Sequence, residues 1–444
     1  MDPRLSALAR AHGVATWYEN ADRRRVEVAD DVVRAVLAEL EVDPDAPTAP
    51  PTGPLVIRAG EPVDGEVTLE SGEQATGEVP LGYHRLADGR ELIVTPRRLP
   101  PVTPAWGWML QLYALHSPGS WGIGDLGDLR EFAKGSAALG AGVLLVNPVQ
   151  AITPARPVQR SPYSPSSRRF ANPLYLRVTD TEAFRRADAR TRATVERLAP
   201  APGAELIDYD TVWTAKLTAL EHLWAGGNGQ AVPDDLRDFA TFCALAERHG
   251  ADWRTWPAGL RRPDGPDIAA ASKELGARVS FHAWLQRLCS QQLDDARAAS
   301  DVRIVHDLPV GVDPAGADAW ALQDVLASDV TVGAPPDAFS QQGQDWNLPP
   351  WRPDRLAAAG YRPFRDVIRS VLAHADGIRV DHIAGLWRLW WIPPGRPASE
   401  GTYVEYDADA LLGILALEAH RAGAIVVGEE IGRASCRERV YGLV

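Results

Sequence analysis

Cysteine, methionine and lysine are scarce in this 444-residue chain, and the scarcities narrow what it can be. Three cysteines, Cys243, Cys289 and Cys436, lack metal-ligand spacing and are too few for a disulfide framework. Only three of the 46 basic residues are lysine, a base-composition feature with no functional content. Positive charge is itself in deficit. The formal net charge of −13 disfavours nucleic acid and anionic membranes as partners. No run of 18 apolar residues exists, so no transmembrane helix is expected. The opening MDPRLSALARAHG has no apolar stretch behind a basic start, so no signal peptide is expected and the cytoplasm is the expected compartment.

Tryptophan, by contrast, is plentiful at 15 residues, many of them beside Pro, Gly or Asp. A loop Trp flanked by polar groups suits stacking on a ligand, and flat apolar faces above carboxylates are what sugar rings need. Packing of the loops themselves would use the same residues.

The spacing predicts a helical segment and linker over residues 1–53, with Asp30 as a helix N-cap, and a small β-sandwich over 54–103 containing a hairpin in LGYHRLADGRELIVTP. From residue 104 the texture changes. Five apolar runs, at 109–115, 142–148, 302–309, 377–382 and 424–430, each turn polar at the C-terminal end. Their alternation with helical segments predicts parallel strands of a (β/α) barrel over 104–430, with chemistry at the strand ends. A mostly helical insert is expected at about 177–300, between the second and third runs. Five strands are three short of an eight-stranded barrel, so the fold class is α/β with an incomplete (β/α)8, or TIM, barrel.

Two strand ends offer carboxylates. Asp381 closes IRVDH, with Arg379 two residues earlier on the same strand face, a pairing that favours an ionised carboxylate. Glu429 and Glu430 close VVGEE, and strand alternation lets only one face the barrel mouth. Neighbouring strands lie about 4.8 Å apart, which suits the roughly 5–5.5 Å carboxyl separation of a retaining glycosidase. A strand-capping ion pair and a surface acidic pair would use the same residues. SPYSPSSRRFANP, with Tyr163 and Asn172, and GAPPDAFSQQGQDWN read as loops lining a groove.

Taken together and in order, these segments resemble the 4-α-glucanotransferase family, also called amylomaltases. The resemblance runs over about 105–430. It is carried by QLYALHSPGSWGIGDLGDL, SPYSPSSRRFANPLYL, HDLPVGVDPAGADAW, VGAPPDAFSQQGQDW, GIRVDHIAGLWRLWWIP and the approach to VVGEE. It implies retaining transfer of α-1,4-glucan segments between maltooligosaccharides, with no metal or other cofactor. By motif, Asp381 resembles the nucleophile, Arg379 the residue orienting it and Glu429 the general acid/base. Tyr163, Asp337, Gln344, Trp346 and His382 resemble substrate-binding residues. Ala315 stands where many members have an acidic residue, and the Gly-Asn-Pro that usually follows Trp346 is altered in GQDWNLPPW. The resemblance also implies further strands and a third carboxylate after VVGEE. Residues 431–444, IGRASCRERVYGLV, instead resemble a translated sequencing adapter, so the expectation is a truncated reading frame with a non-native tail. An α-glucan hydrolase of the amylase group and a non-catalytic glucan-binding fragment are the alternatives.

Overall fold

The computed structural model describes residues 1–20, 22–43, 53–200, 206–224, 231–337 and 339–429. The expected tail at 431–444, and Glu430, lie outside them. The chain divides into two compact units. One comprises Met1–Pro101, Leu322–Leu372 and Val380–Val444; the other comprises Val102–Ala321 and Ala373–Arg379.

In the second unit, four strands lie in the order β4-β3-β2-β1. They are β1 (Gly107–Leu110), β2 (Val143–Val146), β3 (Arg303–Leu308) and β4 (Gly377–Val380), the last residue of which belongs to the other unit. The β1–β2 and β2–β3 pairings are parallel. The first apolar run needs correction. The strand begins at Gly107 and ends at Leu110, and Leu112–Ala114 form a 3-10 turn. That turn is held because the Leu112 amide donates to the buried Asn147 side chain at 2.6 Å. Among the described residues, six α-helices lie between Glu182 and Arg297, ending in the long helix Gly276–Arg297.

The GIGDLGD segment shows how sequence becomes geometry here. Asp125 caps helix Leu126–Ala138, and the Asp128 side chain accepts from the Asp125 amide, a capping box. Arg177 reaches both carboxylates, at 2.7 and 2.6 Å. Beside them Lys216 is buried, its Nζ donating to the carbonyls of Leu174 and Leu176 at 2.7 and 2.9 Å. Burial pushes the Lys216 pKa down to about 8.

In the first unit the N-terminal segment forms helices Pro3–Ala11 and Asp30–Glu39, with a two-stranded hairpin, Trp17–Glu19 and Arg25–Glu27, between them. Ala29, not Asp30, is the N-cap of the second helix; Asp30 and Asp31 occupy its first turn. The expected β-sandwich is instead one five-stranded sheet, ordered Leu55–Arg58, Glu91–Thr95, Gly82–Leu86, Pro62–Thr68, Gln74–Glu78. Its predicted hairpin is present, pairing Tyr83 with Ile93 and His84 with Leu92. A second sheet is unnecessary because helices cover the other face. Leu92 and Val94 join a cluster with Val63 and Val67, while Ile93, on the opposite face, is equally buried.

Sequence reading also missed a four-stranded antiparallel sheet, ordered Gln344–Leu348, Thr331–Ala334, Arg388–Ile392, Thr402–Glu405. Part of it lies in the stretch read as a groove loop. Trp390 and Trp391 on its third strand are almost wholly buried, as are Trp256 and Trp320 in the other unit, so these four tryptophans build core and do not face a ligand. Helix Ala408–Ala422 then leads to β5, Ile425–Gly428.

The four-stranded sheet depends on Gly333, where an added Cβ would lie 1.8 Å from the Gln344 carbonyl oxygen. Gly333→Ala therefore overpacks the strand pair. It is expected to destabilise the protein by about 2 kcal/mol, seen as a lowered midpoint in urea unfolding.

Candidate active site

Asp307 lies near the C-terminal end of β3 and is buried, with a side chain only 1% exposed. The Tyr163 hydroxyl donates to its Oδ2 at 3.1 Å, and Arg379 Nη1 donates to its Oδ1 at 2.5 Å. The second unit thus gathers Tyr163, Asp307 and Arg379 into one charged cluster. Asp307 is absent from the candidates read from sequence. Its signal is the same polar strand end, VRIVHDLP, that singled out Asp381. Strand alternation places Arg379 on the face of Asp381; its guanidinium reaches Asp307 on β3. The Tyr163 loop is anchored by Arg168, whose Nη1 donates to the carbonyls of Pro309 and Val310 at 3.3 and 2.8 Å. Burial pushes the Arg168 pKa down to about 10. Asp318 accepts from the Arg168 amide, tying the same loop to the segment after β3. Ala315 donates its amide to Asp313, within a turn.

The boundary between the units falls at the Arg379–Val380 peptide bond. In the first unit, Asp381 directly follows β4 and Glu429 directly follows β5. The Glu429 amide donates to the Val380 carbonyl at 3.0 Å, and the Ile383 amide donates to the Glu429 carbonyl at 2.9 Å. These two bonds set the ends of the strands side by side. The backbone then turns sharply. His382 takes a left-handed conformation, φ 49° and ψ 60°, which costs a non-glycine residue about 1 kcal/mol or more. The turn aims the His382 amide at Glu429 Oε2, 3.1 Å away. A left-handed histidine held by a carboxylate is the kind of local strain that clusters at working sites. Both Asp381 and Glu429 are partly exposed, within reach of a ligand.

The groove candidates divide. Trp346 meets the His382 ring edge-on, with centroids 5.4 Å apart, and donates from Nε1 to the exposed Gln344 at 3.1 Å. Trp346, Gln344 and His382 therefore sit with Glu429. Asp337 is engaged in its own loop, its Oδ1 accepting from the amides of Phe339 and Ser340 at 2.8 and 2.6 Å. It shapes the turn before Gln344. Asn347 is left-handed, φ 54°, a conformation asparagine tolerates, and its amide is held by Asp345. Among the described residues no three His, Cys, Asp or Glu side chains are grouped to hold a metal ion. No helix among them is long and apolar enough to cross a membrane.

The family model for 4-alpha-glucanotransferase matches residues 110–438. The 4-alpha-glucanotransferase of Mycobacterium tuberculosis is 42% identical over all of this chain, which spans 74% of that protein. The crystal structure of amylomaltase from Corynebacterium glutamicum matches with a TM-score of 0.84 at 33% identity, covering 99% of this chain and 74% of that one. An amylomaltase from Streptococcus agalactiae in complex with acarbose shares the fold, with a TM-score of 0.66 at 18% identity over 77% of this chain and 72% of that one.

Asp307→Ala removes a buried partner of Arg379 and the acceptor of Tyr163. It should destabilise the chain by about 3 kcal/mol, whereas Tyr163→Phe should cost only about 1 kcal/mol. Urea denaturation of both variants measures the difference.

Proposed function

The chain belongs to the 4-alpha-glucanotransferase family, and on that premise we propose that it moves α-1,4-glucan segments between maltooligosaccharides by a retaining double displacement. Asp381 is the nucleophile and Glu429 the general acid/base. The observation carrying this reading is the bond from the Glu429 amide to the Val380 carbonyl, which makes Asp381 and Glu429 the residues that leave two adjacent strand ends. Strands about 4.8 Å apart suit the carboxyl spacing of retaining catalysis, roughly 5–5.5 Å, and leave no room for an intervening water.

In the first step Glu429 gives its proton to the glycosidic oxygen while the Asp381 carboxylate attacks the anomeric carbon. The C–O bond to the departing glucan breaks, and a glycosyl ester on Asp381 forms. In the second step Glu429, now a carboxylate, takes the proton from the 4-hydroxyl of an acceptor glucan. That oxygen displaces Asp381, and two inversions give net retention. The His382 amide fixes one Glu429 oxygen throughout. Trp346 offers an aromatic face for a sugar ring beside His382, and Gln344 a polar contact next to it. In the other unit, Arg379 and Tyr163 are substrate-binding or orienting groups set in place by Asp307.

Incubated with maltotriose, the chain should yield glucose and longer maltooligosaccharides with a constant number of reducing ends, followed by chromatography and a reducing-sugar assay. Asp381→Asn should abolish this, and Glu429→Gln should slow it roughly 10²–10⁴-fold. Reducing ends that rise with every turnover would mean a hydrolase. Transfer that survives in Asp381→Asn would remove the nucleophile assignment.

A further inference from the structure

The helix Arg362–Leu372 precedes the strand that delivers Asp381, and the helix Ala408–Ala422 precedes the strand that delivers Glu429. Both meet the N-terminal five-stranded sheet at one carboxylate. Glu418, 5% exposed, accepts from the Tyr83 hydroxyl at 2.7 Å and from Arg369 Nε at 2.9 Å. It therefore joins a strand of the sheet to both helices. The Tyr83 ring is covered by three guanidinium groups, Arg365 at 4.6 Å and Arg369 and Arg421 at 5.3 Å from its centroid. Arg421 continues to Glu70 at 2.5 Å, and Glu70 accepts from the Tyr83 amide at 3.3 Å. Burial, helped by the Glu418 charge, pushes the Tyr83 hydroxyl well above the usual range, so it stays a donor at any working pH.

The surrounding backbone is built for this approach. Tyr83 pairs with Ile93, so both face the helices, and Gly413 lets the second helix come close. A Cβ there would lie 2.7 Å from Thr95 Cγ2 and 3.3 Å from Val56 Cγ1. The opposite face of the sheet, with Val63, Val67, Leu92 and Val94, has its own apolar cluster and takes no part in the joint.

We propose that the N-terminal sheet is a brace that fixes the spacing of the two carboxylate-bearing strand ends, with Tyr83 and Glu418 as positioning residues. This rests on the assignment of Asp381 and Glu429 given above. Here a hydroxyl, a carboxylate and three guanidinium groups lock three elements in one register, and a shift of that register is transmitted along two helices to the site. Loosening the joint separates Asp381 from Glu429.

The test compares Tyr83→Phe and Glu418→Gln with Val67→Ala, which weakens the opposite face of the sheet. All are measured in the full chain, well below the unfolding midpoint. Both joint variants should lower kcat about tenfold, in the range that small misplacement of reacting groups produces. KM should stay within about twofold, since the sugar-binding groups are untouched. Val67→Ala should leave kcat in place. The amides of His382 and Ile383, which both donate to Glu429, should exchange hydrogen about tenfold faster in the joint variants than in Val67→Ala. Equal kcat and equal exchange in all three variants would overturn the brace. An inactive wild type would count against the function proposed above, and amide exchange would still decide the brace.

Discussion

The pairing of β5 with the end of β4 is the constraint from which the rest follows. One hydrogen bond, from the Glu429 amide to the Val380 carbonyl, fixes which residues emerge together from the two strands. A slip of one residue would turn Glu429 to the other face. The left-handed turn at His382 follows directly and brings a second amide to Glu429, so the acid is held both through its backbone and through a carboxylate oxygen. Its conformational cost is small beside a domain's net stability of about 5–15 kcal/mol, and the surrounding packing supports it. Trp346 completes the corner by packing edge-on against the same histidine.

The strands that carry the site were legible because parallel strands covered on both faces read as apolar runs, and functional groups gather where those runs turn polar. That rule marked Asp381 and Glu429 correctly as strand-end carboxylates and was equally available for Asp307. Arg379 shows its limit. Period-2 alternation predicts which face a side chain leaves from, but not which neighbour a long guanidinium reaches, and here it reaches Asp307 on the adjacent strand. The antiparallel sheet around Trp346 was hidden for another reason. Its strands are four or five residues long and contain Gly333, Gln344 and Asn347, which read as turn residues. The supposed sandwich failed because the apolar second face of the sheet is met by helix Ala408–Ala422, whose residues are apolar nearly all round. Periodicity within the sheet cannot distinguish a covering helix from a covering sheet.

Electrostatics is distributed with a purpose visible only in three dimensions. Tyr83 and Glu418 are 335 residues apart in sequence and joined in the fold. Buried charges are expensive unless paired and hydrogen-bonded. Four buried acids meet that condition: Asp125 and Asp128 on Arg177, Asp307 on Arg379, Glu418 on Arg369. Such pairs add little net stability but fix register, since removing one partner leaves a charge in low dielectric. In the proposed double displacement, tight register serves to bring an acceptor sugar, not water, to the glycosyl ester.

The identity of the nucleophile is the central claim, and trapping the covalent intermediate tests it most directly. The chain, or a variant with slowed turnover, is reacted with a 5-fluoro-glucosyl fluoride, digested, and analysed by peptide mass spectrometry. A fluoro-glucosyl mass increment on the peptide containing Asp381, localised to that residue, is the predicted result. An increment on a different carboxylate, or turnover of the fluoride with no adduct at any stage, would contradict it.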